Sequence, residues 1–305
     1  MSSHDQLGAA EQQPLAAIPL AVGPQLDDAR IARQERLRLV TRSKTFIAGA
    51  ILVGFWVLCA ILGELLVPKD PLASDPLNDL VGPSADNWFG TDRIGRDVFA
   101  RVIVGARDIL IVAPLATLLG TVLGTALGLV TGYFRGLVDD ILSRIIDAFL
   151  ALPVIIVGLL ALVALGPSRL TVILVIGVIF APVIARTVRA AVLTERELEY
   201  VAAAQLRNER TSYVLFAEIL PNVMGPVLVE FTVRLGYAIF TIATLSFLGF
   251  GIQPPAPDWG LQIFEHYGLI NGGFWWPVLF PSMAIATLIV GVNLIADGVT
   301  SAFER

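Results

Sequence analysis

The chain has 305 residues, 56% of them hydrophobic and 15% charged, with a net charge of −5. A soluble domain of this length carries more charge and breaks its apolar residues into shorter runs. One cysteine, Cys59, excludes a disulfide framework within the chain and a Cys-based metal site, and His4 and His266 are too isolated to form a ligand pair.

In chain order, residues 1–29 are polar and interrupted by Pro14, Pro19 and Pro24. They lack the basic start and apolar core of a signal peptide, so a disordered cytoplasmic tail is expected over 1–42. Six apolar blocks then approach the ~20 residues needed to cross a bilayer. They lie near 46–66, 109–134, 145–165, 170–185, 223–249 and 275–295. The expectation is an all-α polytopic membrane protein with six transmembrane helices. Its first helix and external segment occupy 43–108 and its core transmembrane domain 109–305. The basic run Arg30, Arg33, Arg36, Arg38, Arg42 and Lys44 precedes the first span and places both termini in the cytoplasm. That orientation leaves fourteen Lys and Arg inside against six outside. Trp259, Trp275 and Trp276 suit either an outer interfacial belt or internal packing.

The second span carries Ala116, Gly120, Gly124, Gly128 and Gly132 at intervals of four, which is one face of a helix. Small residues there let another backbone approach closely, in this chain or in a partner. Pro114, Pro153 and Pro182 are candidate kinks. Glu230 and Arg234 lie inside the fifth span in the favourable i, i+4 order. They read either as a wall of a translocation pathway or as a self-neutralised packing pair.

The 186–222 segment is too polar to cross the membrane yet patterned for helix. TERELEYVAAAQLRNERTSYVLFAEILPN, residues 194–222, reads as two short helices broken near Asn208. A structured cytoplasmic element suits docking to a soluble partner; the competing reading is an amphipathic connector on the membrane surface. No P-loop occurs, because the only lysines are Lys44 and Lys69 and neither lies in a Gly-x4-Gly-Lys-Ser/Thr run. The chain is therefore expected to be no enzyme.

Three segments resemble binding-protein-dependent ABC transporter permeases, specifically the "C" subunit of dipeptide, oligopeptide and nickel importers. They are FGTDRIGRDVFAR at 89–101, the 200–222 stretch, similar to that family's cytoplasmic EAA loop, and LSFLGFGIQPPAPDWG at 245–260. The EAA-like stretch departs from the pattern: Ala202 stands in place of the usual acid and Asn208 in place of the usual glycine. Asn tolerates a left-handed backbone, so a turn is still expected. The resemblance implies a type I ABC importer permease fold and no cofactor in this chain. It implies ATP and Mg bound by two separate or fused ATPase subunits, a second homologous permease and an extracytoplasmic binding protein facing 67–108 and 250–274. It assigns ATPase coupling to Tyr200, Ala202, Ala203, Ala204, Asn208, Arg210, Leu220 and Pro221. Peptides are the expected cargo, with nickel or another small solute as the alternative. A secondary transporter is disfavoured because the halves show no evident repeat.

Overall fold

The computed structural model describes residues 43–303, so the expected tail at 1–42 and most of the basic run lie outside the described residues. Apart from an isolated bridge between Thr91 and Asp97, the regular structure among the described residues is helical. The principal helices are α1 (Lys44–Leu66), α2 (Val98–Tyr133), α3 (Leu137–Leu150), α4 (Val154–Leu165) and α5 (Arg169–Glu195). After these come α6 (Glu199–Leu206), α7 (Thr211–Phe247), α8 (Trp259–His266) and α9 (Trp276–Phe303).

Five helices, α1, α2, α5, α7 and α9, are long and apolar enough to cross a bilayer. The remaining expected span, 145–165, is a broken pair: α3 and α4 meet at 89°. Pro153 causes the break. It cannot continue the α3 hydrogen-bond ladder and forces the preceding residue out of helical geometry, so Pro153 caps α4 instead. The 135–144 stretch, expected as a loop, is mostly α3. Its apolar Leu137, Ile141, Ile145 and Phe149 recur every four residues on an exposed face. The second span also begins earlier than expected, at Val98 rather than 109. Asp97 caps it by accepting from Ala100 N at 2.8 Å, and the charged residues of its first turns find partners outside the helix.

The core is a seam between α2 and α5. Cβ atoms built on Gly120, Gly124, Gly128 and Gly132 would lie 2.6–2.9 Å from atoms of Gly177, Ala181, Ile184, Val188 and Val192, all on α5. The four glycines thus let two backbones of one chain touch, and dispersion contacts replace the missing side chains. A second seam was not singled out from the sequence. Gly49 of α1 approaches the Gly291 carbonyl of α9, where a Cβ would stand 2.6 Å away. Of the three tryptophans that suit either a belt or internal packing, Trp259 and Trp276 are buried. Their indole N–H groups donate to Val102 O at 2.8 Å and Thr91 O at 3.0 Å, so these two pack the fold, while Trp275 is exposed.

Candidate functional site

At one end of the bundle α5 runs past the expected span limit of 185 to Glu195, turns, and delivers α6. Tyr200 is half-buried, and its hydroxyl donates to Glu195 Oε2 at 2.8 Å. Burial and that carboxylate push the phenol up to about 12, so Tyr200 stays neutral and donating. Val201 and Ala204 point into the fold and are fully buried, whereas Ala202 and Ala203 are exposed. The three alanines therefore do not share one surface: α6 turns only ~100° per residue, and Ala204 falls on the inner face with Val201.

The helix ends where expected. Asn208 has φ +57°, its N–H donates to Gln205 O at 2.9 Å, and Glu209 N–H donates to Ala204 O at 3.2 Å. These are the paired bonds of a Schellman ending, normally built on glycine; asparagine serves because its left-handed penalty is small. Arg210 then caps Thr211, and α7 starts with a π-helical stretch, Val214–Ile219. Pro221 accounts for it. A proline inside a helix clashes with the carbonyl four residues back, and i→i+5 bonding such as Leu220 N to Leu215 O widens the turn just before it.

Although the 186–222 segment is too polar as a whole to cross the membrane, it exposes large apolar side chains on α6 and the start of α7. Leu206 is 84% exposed, Phe216 61% and Tyr213 46%. Asn208, Glu209, Arg210, Ser212, Tyr213, Phe216 and Ala217 line a shallow cleft of about 630 Å³. Exposed leucine and aromatic side chains beside a cleft suit burial against another protein. Leu220 is half-buried and Pro221 exposed just beyond.

Glu230 and Arg234 lie on α7, and Glu230 is ~26 Å along the helix from its Phe247 end. They form an ion pair: Arg234 Nε donates to Glu230 Oε2 at 2.9 Å. Thr187 of α5 donates to the other carboxylate oxygen at 2.8 Å, and the guanidinium stands 5.2 Å from the centre of the Tyr237 ring. Both charges are partly buried, with side chains 20% and 14% exposed. The pair is thus satisfied on several sides and ties α5 to α7.

At the opposite end, residues 89–101 form a knot that sequence reading marked only as a signature. Asp92 accepts from Ile94 N, Arg96 N and Arg96 Nε, and Arg96 Nη2 reaches Glu265 Oε2 at 2.8 Å. Gly95 has φ +76°, and a Cβ there would fall on the Asp75 carbonyl. Arg101 is almost fully buried, 4.0 Å from Asp92 and 3.9 Å from Glu265. Burial holds the neighbouring His266 below the usual imidazole range, so it stays neutral. The clue is present as five charged residues within 92–101, but Glu265, which partners Arg96 and Arg101, lies far along the chain. Among the described residues no cluster of three or more His, Cys, Asp or Glu could hold a metal ion.

Comparison with known proteins agrees with this architecture. Residues 124–305 match the family model described as binding-protein-dependent transport system inner membrane component. The dipeptide transport system permease protein DppC of Alkalihalophilus pseudofirmus is 36% identical over 271 residues, covering 89% of each chain. The oligopeptide transport system permease protein OppC of Bacillus subtilis is 34% identical over 262 residues, 86% of each. The fold is also similar to a chain of the inward-facing MetNI methionine ABC transporter. There the TM-score is 0.55 at 20% identity, covering 67% of this chain and 97% of the other. The chain is a multi-pass membrane protein and belongs to the family of binding-protein-dependent transport system inner membrane components.

Proposed function

We propose that this chain is one permease subunit of an ATP-driven importer of dipeptides or oligopeptides. Its partners are a second homologous permease, ATPase subunits that bind ATP and Mg, and an extracytoplasmic substrate-binding protein. The N-terminus and the α6 end are cytoplasmic, and the 89–101 knot is external. Family membership and the peptide permeases among the relatives support the cargo. The observation that carries the coupling role is the exposed Leu206 of α6 together with the cleft lined by Tyr213 and Phe216 beside it.

The mechanism follows from what that surface joins. ATP binding closes the ATPases and displaces whatever is seated on α6. Because α5 and α2 touch along the glycine seam, a displacement of α6 carries two spans together, and access to the pathway alternates. The Glu230–Arg234–Thr187 cluster keeps α7 with them. Ala202, Ala203, Asn208, Arg210 and Pro221 supply outward contact, while Tyr200, Ala204 and Leu220 hold the element in shape.

The test is Ala203→Trp in the purified complex. Overfilling a packed contact costs ~1–3 kcal/mol, enough to weaken docking and too little to unfold six spans. The expected result is normal insertion and pairing with the other permease, with ATPase content or stimulated hydrolysis reduced and transport lost. Normal ATPase content, hydrolysis and transport would remove α6 from the docking surface.

A further inference from the structure

The three residues between α5 and α6 form the mechanical weak point of the proposed coupling route, and one side chain braces it. Arg196, the first residue after α5, turns back across the bundle end. Its Nη1 donates to Tyr133 O at 2.6 Å and to Gly132 O at 3.2 Å, the last two residues of α2. Those carbonyls are among the unsatisfied acceptors that end every helix and sit at its negative pole. The last turn of α2 has no basic residue of its own, so the cap comes from another element. The Arg196 side chain is 17% exposed, which shields the bonds from competing water.

Neighbouring contacts follow the same line. Arg135, two residues past α2, pairs with Glu197, and Gln205 of α6 reaches the Tyr133 hydroxyl at 3.4 Å. Farther along the bundle, Arg189 of α5 grips Asp139 of α3 through both carboxylate oxygens at 2.7–2.8 Å.

We infer that Arg196 is a positioning residue for energy coupling: it fixes the α5–α6 turn to the end of α2, so that force on α6 moves α2 and α5 rather than bending the turn. This rests on the coupling role proposed above for α6. Without the guanidinium the turn keeps its own backbone hydrogen bonds but loses its shielded tie to α2, leaving only the exposed contacts of Arg135 and Gln205. Nη1 serves both carbonyls while Nε stands 3.4 Å from Glu197 Oε1, so the guanidinium works through two of its nitrogens; lysine offers one point charge and restores the tie partially.

The experiment reconstitutes the complete complex with its ATPases and binding protein in proteoliposomes. It measures labelled dipeptide taken up per ATP hydrolysed, alongside subunit stoichiometry and thermal stability. Arg196→Ala is expected to keep assembly and hydrolysis while uptake per ATP falls roughly tenfold, the scale of one lost charge-assisted hydrogen bond. Arg196→Lys should fall between alanine and the parent. An assembled Arg196→Ala complex with the parent ratio overturns the inference. If alanine prevents assembly, the lysine variant decides: a lowered ratio supports the strut, whereas a parent ratio or failed assembly reduces Arg196 to a folding role. Ala203→Trp run in parallel separates the two claims. If it leaves coupling untouched, the α6 reading itself fails; if it uncouples and Arg196→Ala does not, only the strut fails.

Discussion

Replacing Gly124 with alanine tests the packing on which the transmission of movement depends. In an unobstructed helix this change stabilises, because alanine has the higher helix propensity by ~1 kcal/mol. Here the added Cβ would stand 2.7 Å from the Ala181 carbonyl oxygen and 2.7 Å from Ile184 Cβ. Neither neighbour can yield: one is helix backbone and the other belongs to a fully buried side chain. The helices must separate by several tenths of an ångström, and contacts weaken along the seam from Gly120 to Gly132. Overpacking of this kind costs ~1–3 kcal/mol, so the net change is a destabilisation of up to ~2 kcal/mol. Gly54 of α1 is the matched control, since a Cβ there meets nothing within 4 Å. Thermal unfolding in detergent should place Gly124→Ala below the parent and Gly54→Ala at or above it. Gly124→Leu should fail to accumulate as a folded chain, and so fail to assemble, while Val122→Leu on the exposed face stays mild. Equal melting of Gly124→Ala and Gly54→Ala would refute the close approach of α2 and α5.

The other predictions concern charge and docking. Glu230→Leu and Arg234→Leu should each be worse than the double variant, with a coupling of at least ~1 kcal/mol in a double-mutant cycle; additive effects would argue against the pair. Burial pushes the Asp258 carboxyl, which caps α8, up to about 6. A folded acid that holds its proton more tightly than the unfolded chain loses stability as pH rises, here from about 4 to 6, and the cost persists above. Asp258→Asn keeps the acceptor for Leu261 N and removes the charge, so its melting temperature should exceed the parent's near pH 7.5 and match it near pH 4; an equal gain at both would contradict the shift. Ala204→Trp should lower folded yield because Ala204 is buried, in contrast to the exposed Ala203, where tryptophan affects docking alone.

The parts legible in the sequence obey local rules. The ridge from Ala116 to Gly132 announced a close backbone contact because a period of four marks one helix face whatever packs there. Asn208 announced a left-handed turn because few residues tolerate that backbone. Other features depend on distant chain. Pro153 marks a candidate kink in the sequence, but hydropathy averages across it, so the size of the bend between α3 and α4, 89°, is hidden in one apolar block. The first turns of α2 look like loop because they carry Arg101, Arg107 and Asp108, and the partners Glu265, Glu64 and Arg169 are placed beside them only by the fold. Ala202, Ala203 and Ala204 look equivalent in sequence, and only the docking of α6 assigns one of them to the interior. The second seam, at Gly49 and Gly291, shows no regular spacing and needs the partner helix to be seen.

The measurement that tests the central claim most directly is uptake of a labelled dipeptide into proteoliposomes containing this chain with its partner permease, ATPases and binding protein. The account predicts uptake that requires ATP and the loaded binding protein, and that disappears when the ATPase subunits are omitted. Uptake driven by an ion gradient with the ATPases absent, or no dependence on the binding protein, would contradict it.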